Sequence, residues 1–469
     1  MFGFHPGKSL MSSIAEYLEE NAKRFESELC ELLRIPSVSA ESAHKGDVAQ
    51  AADWMKNRFE SLGFEAELLQ VGEGHPIVYA ESPPVEGAPT VLVYGHYDVQ
   101  PPDPLDLWIS PPFEPTVRNG SLFARGATDD KGQMLTHFFS AQAWLEVRDR
   151  LPVNLKYVIE GEEEVGSGSL ETLLEESPER LECDCIVVSD TSQFAPGQPS
   201  ITYGLRGIVA FELKLTGPNT DLHSGTFGGA VTNPANALAK MIASLADEGG
   251  RVTIPGFYDD ILPMSEAEQN QLALLPFEEK QFFASVGVED AFGESGFTTL
   301  ERRTSRPTLD INGITSGYQG EGTKTIIPSW ASAKITCRLV PEQDPVKIGE
   351  ALQEMLDEAC PPGIKLELDR GHASQGVVVP LESPYIEAAA SAIEYAFGRS
   401  PVFTREGGSI PIIAAMHRKL GADVLLVGWG QNDDNLHAPN EKFNLVDFHR
   451  GIKASARLWR ELSKIDLEG

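Results

Sequence analysis

Residues 90–98 read Thr-Val-Leu-Val-Tyr-Gly-His-Tyr-Asp, an apolar run that ends in two polar side chains one residue apart. A short apolar run closed by a turn former predicts a strand buried on both faces, as in a parallel sheet. Side chains alternate along extended backbone, so His96 and Asp98 point the same way. Both stand just past the strand's C-terminal end, where α/β sheets place their ligand crevice. There the carboxylate can orient the imidazole, although a lone His-x-Asp is common and more often an ordinary polar contact than a metal site.

The pattern repeats outward from this strand. Helical periodicity over 131–148 leads into a strand over 153–160, and a helix near 170–176 into a strand over 184–189. Upstream, Ser13 and Glu16 form a capping box for a helix running to Arg34, and a second helix covers 47–62 before strands at 65–71 and 77–81. Such alternation predicts an α/β domain. After Gly204 the character changes: the strand at 208–216 alternates polar and apolar residues, and Asn233-Pro234 opens a helix to about 246. Strands at 308–314 and 331–340, a helix at 345–358 and a strand at 364–369 complete a β-α-β-β-α-β order, interrupted by a Glu-rich stretch at 249–305. The first kind of alternation returns with helices at 383–397 and 410–420, a strand at 424–427 and a helix at 446–462. The expected organisation is therefore an α/β domain of residues 1–206 and 377–469 with an α+β domain, 207–376, inserted into it.

Charge narrows the function. The 38 Lys and Arg against 70 Asp and Glu leave a net charge of −32, which repels phosphate backbones and anionic lipid and argues against nucleic-acid or membrane partners. No apolar run approaches a membrane span, and the opening MFGFHPGKSLM does not read as a signal peptide. Five scattered cysteines (Cys30, Cys183, Cys185, Cys337 and Cys360) are poor material for a disulfide framework and point to a reducing, cytoplasmic setting.

Other chemistry-bearing residues fall at comparable places. Asp129 and Asp130 stand at a helix N-terminus, where acids usually serve as caps favoured by the dipole. Glu162-Glu163-Glu164 follows the strand ending at 160, and Asp190 follows the strand ending at 189. Acid runs are generally solvated, but a solvated surface does not gather its charges at successive strand ends. His437, in a loop after the strand at 424–427, supplies a second imidazole for an otherwise oxygen-rich set. Two histidines with several carboxylates suit zinc, with manganese or cobalt as replacements.

GHYDVQP, RGATDDKG, EGEEEVGSG, the SD of VVSDT, DLHSG, CRLVP, EGGSIP and HAPNEKF together resemble, in order and over nearly the whole chain, the carnosinase-like dipeptidases. These belong to the di-zinc metallopeptidases that include carboxypeptidase G and aminoacylase. The resemblance implies a zinc-exopeptidase-like catalytic domain with an inserted ferredoxin-like sandwich that acts as lid and dimerisation domain. It implies that His96 and Asp190 hold one zinc, Glu164 and His437 the other, and that Asp129 bridges them ahead of a cis peptide to Asp130. Glu163 is then the general base and Asp98 steadies His96. His223 would polarise the scissile carbonyl, across the subunit boundary where relatives are dimers.

Arg338 resembles the arginine that grips the substrate's C-terminal carboxylate, and backbone N–H groups at Gly408 and Ser409 would receive a carboxylate as well. Aspartate at position 190 resembles the dipeptidases, whereas glutamate there is usual in carboxypeptidases and deacylases. The expected activity is dipeptide hydrolysis by a cytoplasmic homodimer, the rival being a deacylase or carboxypeptidase acting on N-acyl or glutamyl amino acids. A catalytically inactive metal-binding protein would be expected to lose some of the ligands or Glu163, whereas every expected position is occupied, and an acidic scaffold would leave the strand-end clusters unexplained.

Overall fold

The apolar runs of the first half assemble into one mixed sheet. In this computed structural model, which describes residues 10–408 and 410–466, strands Ile77–Glu81, Asn154–Glu160, Thr90–His96, Cys185–Val188 and Asp423–Leu426 lie side by side in that order. The last four run parallel, with Val93 opposite Tyr157 on one side and Val187 on the other. Glu65–Leu69 adds an antiparallel edge beyond Ile77–Glu81. Because the four parallel strands end on one side of the sheet, the residues that follow them are brought to one edge.

The helix Lys131–Arg148 is buried on every side from Lys131 to Trp144. Such all-round burial marks a central helix rather than a surface one. Its partner is the amphipathic helix Leu445–Leu462. The two are joined by indole donors: Trp144 Nε1 to the Ala456 carbonyl at 2.8 Å and Trp459 Nε1 to Ser140 Oγ at 2.7 Å. Buried indoles satisfied in this way fix the helices' relative register as well as filling volume.

The chain folds as two compact units, one of residues up to 203 with 379–404 and from 415 onward, the other of 204–378 with 405–414. In the second unit, four antiparallel strands run in the order Thr308–Ser316, Trp330–Leu339, Gly207–Thr216, Lys365–Ser374. Val209, Phe211, Leu213 and Leu215 alternate inward against Ala237, Leu238 and Met241 of the helix Pro234–Ala243 and Ile348, Leu352 and Leu356 of the helix Pro345–Ala359. Both helices open in the manner the sequence predicts for the first of them: Asn233 and Asp344 accept from the second helical N–H, with proline at the first position.

Three local expectations need correction. The first helix is two, Leu10–Glu20 and Ala22–Leu33, broken at Asn21, whose φ of −102° and ψ of 5° leave the helical region. Ser13 therefore lies inside a helix rather than capping it. The stretch 249–305, read as a polar insertion, carries three short helices, Glu266–Leu274, Glu279–Ser285 and Thr299–Thr304.

Candidate metal centre

Strand geometry delivers His96 and Asp98 to the sheet edge fully buried. His96 Nδ1 lies 3.1 Å from the Asp98 carbonyl oxygen and 3.3 Å from Asp98 Oδ1. A proton on Nδ1 is thereby held by Asp98, which leaves the Nε2 lone pair for a ligand. Nε2 faces Asp129 Oδ1 at 3.1 Å and Asp190 Oδ2 at 4.0 Å. Asp190 arrives there from the strand Cys185–Val188, and Asp129 from the turn before the central helix.

The second oxygen of Asp129 turns the other way. Oδ2 is 2.9 Å from His437 Nε2, which is itself 3.4 Å from Glu164 Oε2. Two donor groups result, His96–Asp129–Asp190 and Asp129–Glu164–His437, each with its ligand atoms within 4.8 Å of one another. Asp129 is common to both and is joined to Asp130 by a cis peptide. One imidazole and two carboxylates in each group make a donor set suited to a borderline divalent cation.

The electrostatics tell the same story from the metal-free side. Burial pushes the Asp190, Glu163 and Glu164 carboxyls up, Glu164 to about 8, and the neighbouring Asp129 charge adds to it. Burial also opposes charge on His96, but its hydrogen bonds with Asp129 and Asp98 outweigh it and hold the imidazole well above its usual range. His437 is raised to about 9, chiefly by its hydrogen bond to Asp129. Without cations the cluster retains protons to offset crowded negative charge, which is the condition a cation relieves.

Glu163 sits in the single turn Glu163–Val165 next to Glu164, close enough to His96, Asp129 and His437 for their charges to act on it. Several neighbours escaped the sequence reading. Ser39 Oγ donates to Asp98 Oδ2 at 2.6 Å, and the Glu164 backbone N–H donates to the same oxygen at 3.2 Å. Gln100 Nε2 donates to Glu164 Oε2 at 2.8 Å. Gln100 lay within the GHYDVQP motif; Ser39, far upstream, gave no signal.

His223, Arg338 and Gly408 belong to the second unit. His223 is exposed, and its Nδ1 accepts the Gly225 N–H at 3.1 Å, capping the short helix Ser224–Phe227. Arg338 lies on the strand Trp330–Leu339 opposite Ile208 and Thr308, half-buried and near Asp310. Gly408 is exposed, with open space where a Cβ would project. Ser409 lies outside the described residues.

Paired His and carboxylate groups at the C-terminal edge of the parallel strands, sharing one carboxylate, are the donor set of a two-cation centre, a class that serves metal-dependent hydrolases. The model of peptidase family M20/M25/M40 matches residues 92–461, and the chain belongs to that family. It is 32% identical to the Cys-Gly metallodipeptidase dug1 of Schizosaccharomyces pombe, over 98% of this chain and 99% of that protein. Identity to the Beta-Ala-His dipeptidase of Homo sapiens is 31%, over 98% and 94% of the two chains. Among solved structures, the metallo-carboxypeptidase Sso-CP2 of Sulfolobus solfataricus superposes with a TM-score of 0.85 at 33% identity, covering 94% of this chain and 99% of that one.

Proposed function

We propose that this chain is a metal-dependent dipeptidase whose two donor groups hold zinc, with manganese or cobalt as workable replacements. The observation that carries this reading is the division of Asp129: one oxygen faces His96 and the other His437. His96, Asp129 and Asp190 would hold one cation, and Asp129, Glu164 and His437 the other. Held there, the cations would supply Lewis acidity, lowering the pKa of a water and polarising the scissile carbonyl. Glu163 takes the water's proton and later passes a proton to the leaving amine, a role suited to a carboxyl whose affinity for protons is raised by burial. Asp98 holds the proton on His96 Nδ1, keeping Nε2 as a ligand. His223 is assigned to the substrate carbonyl, and Arg338, Gly408 and Ser409 to its carboxylate.

The second unit, 204–378 with 405–414, is assigned as lid and as the platform of a homodimer, and the enzyme as cytoplasmic. Five free thiols fit a reducing compartment. Among the described residues, no helix is long and apolar enough to cross a membrane.

A carboxypeptidase activity is the second reading, favoured by the likeness to Sso-CP2; aspartate at position 190 favours the dipeptidase. Hydrolysis of dipeptides, tripeptides and N-acyl amino acids by zinc- and manganese-loaded protein, against a chelated control, separates them. Metal-dependent cleavage confined to dipeptides is expected. Turnover of blocked or acylated substrates instead would replace dipeptidase by carboxypeptidase or deacylase.

A further inference from the structure

Glu441 is a fully buried carboxylate four residues beyond His437. Its Oε1 accepts the backbone N–H groups of Thr128 at 3.0 Å and Asp129 at 3.1 Å. Its Oε2 accepts the Gly126 N–H at 2.8 Å and Arg125 Nη1 at 2.7 Å. An ion pair with Arg125 alone would need none of the three backbone contacts. Only a carboxylate offers two acceptor oxygens with enough lone pairs to satisfy all four donors. A charge buried beside an already acidic cluster is costly unless it is paired and hydrogen-bonded, and here every contact lands on residues 125–129.

The loop that carries His437 is tied to the same turn a second time. Thr128 Oγ1 donates to the Lys442 carbonyl at 2.7 Å and lies 3.1 Å from Asp434 Oδ2. Asp434 Oδ1 in turn accepts Lys442 Nζ at 2.8 Å. Between these anchors Asn435, His437 and Asn440 all take left-handed backbone, with φ of 57°, 58° and 65°. For a histidine that conformation is uncommon, and it persists where surrounding contacts impose it. The Asp129 backbone, whose side-chain oxygens meet His96 and His437, is thus clamped to the His437 loop.

We propose that Glu441 is a positioning residue for the two-cation centre, setting Asp129 against the His437 loop so that one carboxylate serves both donor groups. It acts through Asp129 and touches no substrate. The inference rests on the metal reading above.

The test is E441Q, which keeps the shape but turns one acceptor into a donor facing an N–H group. Metal-free full-length parent and variant are titrated with zinc against a chromophoric chelator, and their melting temperatures are recorded loaded and chelated. The parent is expected to take up two cations. E441Q should bind them about 10- to 100-fold more weakly, the usual effect of losing a partner that orients a ligand. Its metal-induced rise in melting temperature should shrink accordingly, and E441D, which restores the charge, should recover part of the loss. Equal affinity with both melting temperatures lowered in parallel would make Glu441 merely structural and overturn the proposal. If E441Q does not fold, E441D is read the same way, and parental affinity there overturns the proposal too. A parent that binds no cation would overturn the metal reading itself.

Discussion

At the scale of single residues, two substitutions separate chemistry from metal binding. Glu163 lies in neither donor group, yet senses the charges of both. E163Q should therefore lower kcat by about 100- to 10,000-fold, the usual effect of losing the proton-transferring group. Bound metal and the far-ultraviolet spectrum should stay unchanged; near-parental turnover would remove Glu163 from the mechanism. Asp129 belongs to both groups, so D129A should lose metal together with activity. Two tightly held cations measured by elemental analysis in D129A would rule out the shared-carboxylate reading.

At the scale of elements, His137 illustrates how a buried helix makes stability depend on pH. It lies in the fully buried stretch of Lys131–Arg148, and Ser189 Oγ, 2.8 Å from its Nε2, itself donates to the Val427 carbonyl. Nε2 must therefore be the donor, and Nδ1 has no hydrogen-bond partner among the described residues, so a second proton would be buried unsatisfied. Burial accordingly pushes the imidazole down to about 3 from its ordinary 6.5. Between those values the unfolded chain binds the proton and the folded one does not, so stability falls as pH drops below about 6.5. The slope approaches about 1.4 kcal/mol per pH unit for this one group. Urea unfolding of chelated protein between pH 7 and 5 should show a shallower loss for H137Q than for the parent. Identical slopes would mean that His137 does not carry the effect.

Elements with a strong period were legible beforehand, and the reasons for the exceptions are physical. The strand at 90–96 declares itself because burial on both faces leaves Val91–Tyr94 unbroken and apolar, whereas the helix at 131–148 buries Lys131, Gln133, Thr136, His137, Ser140 and Gln142 among its apolar residues. The break at Asn21 is hidden because Ile14, Leu18, Phe25 and Leu29 keep an inward stripe across it. The helices at 266–274 and 299–304 carry capping boxes, Ser265 with Glu268 and Thr298 with Glu301. The first of them buries no residue, so no apolar stripe advertised it. His96, the run Glu162–Glu164, Asp190 and His437 could be gathered by their places after strands, whereas Asp129 stands at a helix N-terminus where a cap is the commoner reading, and only the family resemblance joins them as one ligand set. Glu441 and Asp434 could not be so gathered, because a buried acid in a polar loop reads like a solvated one. The partners of Glu441, Gly126, Thr128 and Asp129, lie more than 300 residues away in the chain.

At the scale of the whole molecule, the donors are unevenly shared. All five residues of the two groups fall in the first unit, and the second unit supplies none of them. A ligand stabilises only states that bind it, by about 4 kcal/mol when its concentration exceeds Kd 1,000-fold. That increment falls on openings that disrupt His96, Asp129, Glu164, Asp190 or His437, and not on openings confined to the second sheet. Chelation should therefore act as a regional perturbation and not as uniform loosening. Hydrogen exchange is expected to accelerate at the C-terminal ends of Thr90–His96 and Cys185–Val188, in the turn before Lys131 and in the 431–441 loop. Amides of Gly207–Thr216 and Trp330–Leu339 should keep their protection, since Val209, Ile335 and Leu352 form a separate core. Equal acceleration in both regions would mean that metal binding stabilises the two units as one cooperative body.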